Sequence, residues 1–180
     1  MSDRRTTAHV FCGTSLDGFI ARPDGDLDFL DPYGDDESVE VYNEFVSGID
    51  VFVFGRGTFE KVLEFKTWPF EKPVFILSRS LKKLPKKYAN RAEILSVEPV
   101  AVIDFLTEKG FKAAYIDGGK VVRSFLNAGL VDTMTISRAP VLIGKGISLF
   151  GSLDADIELE LLRSQVCSNG LVRSYYRVKR

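Results

Sequence analysis

Residues 50–58 read DVFVFGRGT, an apolar run followed by a glycine turn. A short, continuous apolar run bounded by turn residues is typical of a strand that is buried on both faces of a parallel sheet. We therefore predict a strand over Asp50–Phe54. The turn Gly55-Arg56-Gly57-Thr58 then leads into a helix predicted over Thr58–Phe65. A strand, a turn and a helix in succession form the repeating unit of α/β proteins.

The same unit recurs along the chain. The apolar run Val74–Leu77 is followed by Ser78-Arg79-Ser80, and Ala113–Ile116 is followed by Asp117-Gly118-Gly119-Lys120. Helical spacing of apolar residues predicts a helix over 37–48, where Val39, Tyr42, Phe45, Val46 and Ile49 follow the 3-4-7 pattern. Further strands are predicted over 9–14 and 93–97, and further helices over 100–109 and 120–127.

The pattern changes after Gly129. Strands are predicted over 131–138, 157–167 and 171–178, and the last two are joined by Ser168-Asn169-Gly170, in which Asn-Gly is a strong hairpin signal. The expected fold is α/β, with a mixed, mostly parallel sheet of about eight strands, flanking helices and a C-terminal antiparallel hairpin. The 180 residues are expected to form one domain, 1–180, because that length suits a single core.

Composition limits the classes of function. The chain has 24 basic and 25 acidic residues, a near balance that argues against a nucleic-acid binder. Two cysteines and a single histidine, His9, argue against a disulfide scaffold and exclude a site with several histidine ligands. We interpret His9 as a strand residue rather than a catalytic one. Because no secretory signal or apolar run of membrane-spanning length is found, the expectation is a soluble, cytoplasmic protein.

Three predicted strands end in turns that could bind an anion. Glycine lets the backbone approach a ligand closely, and the free N–H groups of a first helical turn attract phosphate. In an open α/β sheet, ligands bind at the carboxyl ends of the strands. The three turns together favour a nucleotide, although Glu60 occupies the third glycine position of a G-x-G-x-x-G match, so the usual dinucleotide fingerprint is absent.

Several motifs resemble those of a known superfamily. They are Ser15-Leu16-Asp17-Gly18-Phe19-Ile20-Ala21, the turn 55–58, the stretch 118–132 and Val141-Leu142-Ile143-Gly144-Lys145-Gly146. In this order they resemble the dihydrofolate reductase superfamily over about residues 8–178. The closer resemblance is to its branch that contains the reductase domain of bacterial riboflavin biosynthesis. Homodimers are also implied for this branch.

The resemblance implies an NADPH-dependent reductase and a set of cofactor-binding residues. The matching positions are Gly18 and Ile20 in a loop over the nicotinamide; Gly55, Arg56 and Thr58 at the phosphates; Ser78 and Arg79 at the adenosine; and Gly118, Gly119, Lys120 and Val121 in a second phosphate turn. Riboflavin reductases carry an acidic residue just before this glycine turn, and counting back from Ala128 places Ile116 there. Their Asp-Pro-x-Leu-x-x-Arg stretch has no counterpart near 65–70.

We predict hydride transfer to a C=N or C=O bond of a small, heterocyclic substrate of pteridine or pyrimidine type. The candidate catalytic acid is Asp28, with Asp26 second. The specific alternative is 5-amino-6-(5-phosphoribosylamino)uracil reductase of riboflavin biosynthesis, and a further alternative is a nucleotide-binding protein without catalysis. The exposed edge of the C-terminal hairpin is a candidate surface for a homodimer.

Overall fold

A central sheet of eight strands confirms the predicted fold class. The computed structural model describes residues 5–180; residues 1–4, part of the N-terminal stretch considered for a secretory signal, lie outside the described residues. The strands are β1 (Thr7–Thr14), β2 (Phe19–Ala21), β3 (Val51–Gly55), β4 (Val74–Leu77), β5 (Glu93–Leu95), β6 (Ala113–Asp117), β7 (Val131–Arg138), β8 (Ile147–Ser148), β9 (Leu159–Val166) and β10 (Val172–Val178). The helices are α1 (Asp36–Ser47), α2 (Arg56–Val62), α3 (Pro99–Glu108) and α4 (Gly119–Asn127), with short 3-10 helices at Asp28–Tyr33 and Lys86–Tyr88.

The strand order places the carboxyl ends of six strands on one edge of the sheet. The order is β5-β4-β3-β6-β1-β7-β10-β9. Pairing is parallel from β5 through β7, whereas β10 is antiparallel to both of its neighbours. The three turns singled out in the sequence follow β3, β4 and β6, so the sheet brings them together.

Apolar side chains fill both faces of the sheet. On one face, residues such as Val10, Ile116 and Met134 pack in one cluster with residues of α3 and α4. On the other face an aromatic cluster that includes Phe52, Phe54 and Tyr115 packs under α1. The run VFVF, residues 51–54, is buried on both sides, as expected for an inner strand, because alternate residues enter different clusters.

The structure differs from the predicted elements mainly in short segments. A second sheet formed by β2 and β8 was not predicted, because three and two residues are too few to show a period. The helix predicted over 58–65 runs over 56–62 instead, since Gly55 is its N-cap and the chain turns after Val62. His9 lies within β1, where its ring nitrogens contact the hydroxyls of Thr133 and Thr7 at 2.7 and 2.8 Å.

Within residues 5–180, no helix has both the length and the apolar character needed to span a membrane.

Candidate active site

A large cleft opens at the edge of the sheet where the parallel strands end. Its volume is about 1290 Å³, and it is lined by residues from the ends of β1, β3, β4 and β6 and from the loop after β2. Sites for single small molecules usually measure roughly 300–1,000 Å³. The cleft therefore has room for an extended ligand together with a second, smaller molecule.

The glycine turns after β3 and β6 touch each other at the floor of the cleft. Gly118 has φ +101°, a conformation that favours glycine, and a Cβ atom there would lie 2.8 Å from Thr58 Oγ1. A Cβ on Gly119 would lie 2.7 Å from the carbonyl oxygen of Ser148 and 3.2 Å from Ile20 Cδ1. The backbone of Gly118 and Gly119 therefore lines the cleft, and neighbouring atoms of Thr58, Ser148 and Ile20 leave no room there for a side chain.

The residues predicted to bind a cofactor converge on this cleft, with one exception. Those that line it are Ile20, Gly55, Arg56, Thr58, Ser78, Arg79, Gly118, Gly119, Lys120 and Val121. Gly18 is not among the lining residues. It forms a turn with φ +85°, and its carbonyl oxygen accepts a hydrogen bond from the Leu149 amide at 3.1 Å.

Loop 15–21 and loop 141–146, which are far apart in the sequence, are bound together by Asp17. Its carboxylate accepts hydrogen bonds from the amides of Gly144 at 2.7 Å and Ile143 at 3.3 Å. Hydrogen bonds from Ser15 and from these amides lower the pKa of Asp17, so the carboxylate is ionised at neutral pH. The contact fixes the loop that carries Ile20 to the cleft wall.

One end of the cleft, beside β4 and α3, is rich in hydrogen-bond donors and cations. Arg56 Nη1 donates to Ser80 Oγ at 3.2 Å, which links the turns after β3 and β4. The Ser78 and Ser80 hydroxyl oxygens lie 3.4 Å apart. The Arg79 guanidinium forms an ion pair with Glu98, the N-cap residue of α3. Hydroxyls and guanidinium groups are the donors that proteins use to bind phosphate.

The other end of the cleft, at β1 and the 3-10 helix 28–33, is mainly apolar. It is lined by Phe11, Cys12, Gly13, Leu27, Leu30 and Tyr115. The methyl groups of Leu30 pack so closely on Gly13 that a Cβ there would lie 2.9 Å from Leu30 Cδ1. The Tyr115 hydroxyl donates its hydrogen bond to the carbonyl oxygen of Phe11, at 2.6 Å. Such a lining suits a flat, uncharged ring.

Asp117, the residue that directly precedes the second glycine turn, lines the cleft and was not among the predicted site residues. Burial raises the pKa of its carboxyl to about 6, while hydrogen bonds from the Thr58 side chain and the Gly118 amide act in the opposite direction. A carboxyl with a pKa near neutrality, held in a cleft, has the properties of a proton donor. Counting back from Ala128 placed Ile116 at the position that is acidic in the riboflavin reductases. In the structure Ile116 is fully buried in the core and does not reach the cleft.

Asp28 and Asp26, the acids predicted from the sequence, do not line the cleft. Asp28 accepts a hydrogen bond from Arg22 Nε, and this contact lowers the pKa of its carboxyl. Asp26 accepts a hydrogen bond from the Leu27 amide at 2.7 Å. Both residues are exposed; Asp26 lies in the loop before the 3-10 helix, and Asp28 is the first residue of that helix. The structure brings together the predicted cofactor residues but not the predicted acids.

Comparison with known proteins identifies the family. The RibD C-terminal domain family matches residues 7–173, nearly the whole described chain. The chain belongs to the RibD C-terminal domain family. The chain is also similar to a protein of known structure from Shewanella sp. PV-4 that is named for riboflavin biosynthesis. It is 36% identical to this chain, with a TM-score of 0.87 over 97% of this chain and 100% of the other.

Two further similarities extend this picture. The uncharacterized protein YwjB of Bacillus subtilis strain 168 is 28% identical over 97% of this RibD C-terminal chain and 99% of its own length. Dihydrofolate reductase from Enterococcus faecalis, solved in complex with NADP(H), has a TM-score of 0.67 over 98% of this chain and 100% of its own, at 14% identity. The second similarity shows a shared fold, so the dihydrofolate reductase-like architecture predicted from the sequence is confirmed.

Proposed function

We propose that this protein is an NADPH-dependent reductase that adds a hydride and a proton across a C=N or C=O bond of a small heterocycle. The observation that carries the proposal is the cleft itself. Glycine turns, hydroxyls and cations lie along one part of it, an apolar end lies beside β1, and Asp117 lies at its floor. Membership of the RibD C-terminal domain family, and the fold shared with a dihydrofolate reductase solved in complex with NADP(H), support the same chemistry.

The chain's own residues account for binding, orientation and proton transfer. NADPH, when bound, supplies the hydride. The turns after β3 and β6 would hold its diphosphate, and Ser78, Arg79 and Arg56 its adenosine end. The apolar end beside Phe11 and Leu30 would hold the substrate ring and exclude water. Asp117 would give its proton to the substrate nitrogen or oxygen and remain as a carboxylate, which Thr58 and Gly118 stabilise by hydrogen bonds.

The proposal is tested by following NADPH oxidation with a panel of acceptors. Dihydrofolate, dihydrobiopterin and the phosphoribosylated pyrimidine of riboflavin biosynthesis represent the substrate classes predicted above. Turnover of one of them supports a reductase and names its class. Binding of NADPH without oxidation by any acceptor would favour the non-catalytic alternative. Absence of NADPH binding would contradict the proposal altogether.

Preference for NADPH over NADH is expected to depend on Arg79. The two cofactors differ by one phosphate on the adenosine ribose, and a charge-assisted hydrogen bond to such a group is worth roughly 1.5–3 kcal/mol. Arg79→Ala should therefore weaken NADPH binding by about tenfold or more and leave NADH binding nearly unchanged. Dissociation constants can be measured from the fluorescence of the reduced nicotinamide. Lys83→Ala removes a nearby exposed cation that does not line the cleft and serves as the control.

Equal dissociation constants for the two cofactors in the unmutated protein would contradict this prediction, as would an equal loss of both affinities in the Arg79 variant.

The free edge of β9 is expected to form a homodimer. This strand carries exposed apolar residues on both faces, of which Val166 is 79% and Leu161 57% exposed. A long, exposed, apolar edge strand is prone to pair with another chain. Sedimentation at micromolar concentration should show a dimer, and the pair of changes Leu161→Lys and Val166→Lys should yield a monomer. Leu142→Lys, which replaces a leucine that is 69% exposed on a loop, should remain dimeric.

A monomeric wild-type protein at the same concentration would exclude this interface.

A further inference from the structure

The charged side chains that line the cleft are largely paired with one another. Four are basic and five are acidic: Arg56, Lys61, Arg79 and Lys120, and Asp24, Glu60, Glu64, Glu98 and Asp117. Arg56 pairs with Glu60 and Lys61 with Glu64, each at 3.2 Å, and Arg79 pairs with Glu98. In the cleft that we propose binds a diphosphate, three of the four cations are therefore paired with carboxylates.

Glu98 differs from the other two carboxylates in its position. Glu60 and Glu64 pair with residues three or four positions away in α2, whereas Glu98 follows β5 and reaches Arg79 in the turn after the neighbouring strand β4. Glu98 is the N-cap residue of α3, but its side chain makes no capping hydrogen bond. The adjacent residues Val97 and Pro99 also line the cleft. The Glu98 carboxylate therefore lies at the cleft, beside Arg79.

This end of the cleft lies at the distance expected for the adenosine end of a dinucleotide. Asp117 is at the end of β6, and Glu98 follows β5, which is three strands away in the order β5-β4-β3-β6. At about 4.8 Å between neighbouring strands, the separation is roughly 14 Å. A dinucleotide whose reactive ring lies near Asp117 would thus bring its adenosine ribose close to Ser78, Arg79 and Glu98.

We propose that Glu98 is a cofactor-specificity residue that weakens binding of the ribose 2′-phosphate and so limits the preference for NADPH over NADH. The inference rests on the proposed function, because it concerns the same cleft and cofactor. A phosphate bound by Arg79 must share that guanidinium with the Glu98 carboxylate, and the two anions repel each other. The free ribose hydroxyl of NADH carries no charge and can donate a hydrogen bond to the same carboxylate.

Glu98→Gln removes the charge and keeps a hydrogen-bond acceptor. Two charges on a phosphate and one on a carboxylate about 6 Å apart in water at moderate salt repel enough to change affinity by roughly three- to tenfold. We expect the dissociation constant of NADPH to fall by about that factor and that of NADH to change less than about twofold. Fluorescence titration of the purified full chain with each cofactor measures both values.

Two controls separate this effect from a general change of charge. Glu108→Gln alters an exposed glutamate at the other end of α3 and should leave both dissociation constants unchanged. Raising the salt concentration to about 1 M, where the screening length is near 3 Å, should remove most of the gain in Glu98→Gln.

The outcomes distinguish this inference from the proposed function. If both cofactors bind the wild type and Glu98→Gln leaves their ratio unchanged, or if Glu108→Gln shifts it equally, the role of Glu98 is excluded while the reductase proposal stands. If neither cofactor binds the wild type, both proposals are overturned.

Discussion

Replacement of Asp117 by asparagine is expected to remove most of the catalytic rate and, at the same time, to stabilise the folded chain. Asparagine fills nearly the same space but has no acidic proton to give. General acid catalysis typically contributes about 10²- to 10⁴-fold, so turnover should fall by at least about 100-fold with whichever acceptor the screen identifies. The dissociation constant of NADPH should change little, because the glycine turns remain.

The gain in stability follows from the raised pKa of Asp117. The carboxyl has a pKa of about 6 in the folded protein, above its ordinary value of 3.8, so between these values the folded chain holds a proton that the unfolded chain has lost. The contribution of Asp117 to the free energy of unfolding therefore decreases as pH rises from about 4 to about 6 and is constant above that range. At pH 8 the asparagine variant should be more stable by roughly 1–3 kcal/mol, and near pH 4 the difference should vanish.

Thermal unfolding and steady-state rates measured from pH 4 to pH 8 check both parts. In the wild type the rate should fall as pH rises through the pKa of Asp117. Asp28→Asn is the matched control, because it removes a carboxyl that is paired with Arg22 outside the cleft. Full turnover in the Asp117 variant would contradict the proposed role, and a large loss in the Asp28 variant would return the role to the acid predicted from the sequence.

Gly119→Ala is expected to have the second-largest effect, on both stability and cofactor affinity. The new Cβ would lie 2.7 Å from the carbonyl oxygen of Ser148, which is backbone and cannot rotate away. Arg123 Nη1 also donates to this oxygen at 3.0 Å, so the contact holds α4 against β8. Overpacking of this kind costs about 1–3 kcal/mol, or roughly 3–10 °C in melting temperature for a chain of this length.

The affinity for NADPH should also fall, by about tenfold or more. Displacement of β8 also moves its partner strand β2, which carries Ile20 at the cleft. A loss of about 1.4 kcal/mol in binding free energy corresponds to a factor of ten in affinity. Gly57→Ala is the control for stability. Its Cβ would meet no atom within 4 Å, and it lies in α2, where alanine is preferred to glycine. This variant should be equally or more stable than the wild type. If the melting temperature of Gly119→Ala equals that of the wild type, the prediction is wrong, because the backbone around Ser148 then moves at little cost in free energy.

The sequence predicted the main sheet well because its strands are inner strands. Runs such as Val74–Leu77 are apolar throughout and end at turn residues, so their bounds agree with the structure to within a residue or two. The predicted cofactor residues also converge, since parallel strands place their carboxyl ends on one edge. The short strands β2 and β8 pair across about 130 residues and carry no local period, so no sequence pattern could indicate them.

The proposal of Asp117 as the acid depends on information that the sequence does not contain. Asp24, Asp26 and Asp28 form a conspicuous acidic cluster, but the chain turns back on itself there and Arg22 reaches Asp28. Asp117 stands alone between an apolar strand and a glycine pair. Its raised pKa results from burial in the folded chain, which outweighs the opposing hydrogen bonds from the Thr58 side chain and the Gly118 amide. Only the position of Asp117 at the end of a buried strand hinted at this.

The strand order gives the molecule two halves that can change independently. The cleft depends on β1 and the strands on one side of it, whereas the apolar edge of β9 is separated from β1 by β7 and β10. Substitutions on β9 can therefore alter the dimer proposed above without moving any residue that lines the cleft. Conversely, new substrate specificities can arise in the loops around β1 and β3 while the mode of assembly is inherited unchanged. In such a fold, oligomeric state is a poor guide to the reaction that a relative catalyses.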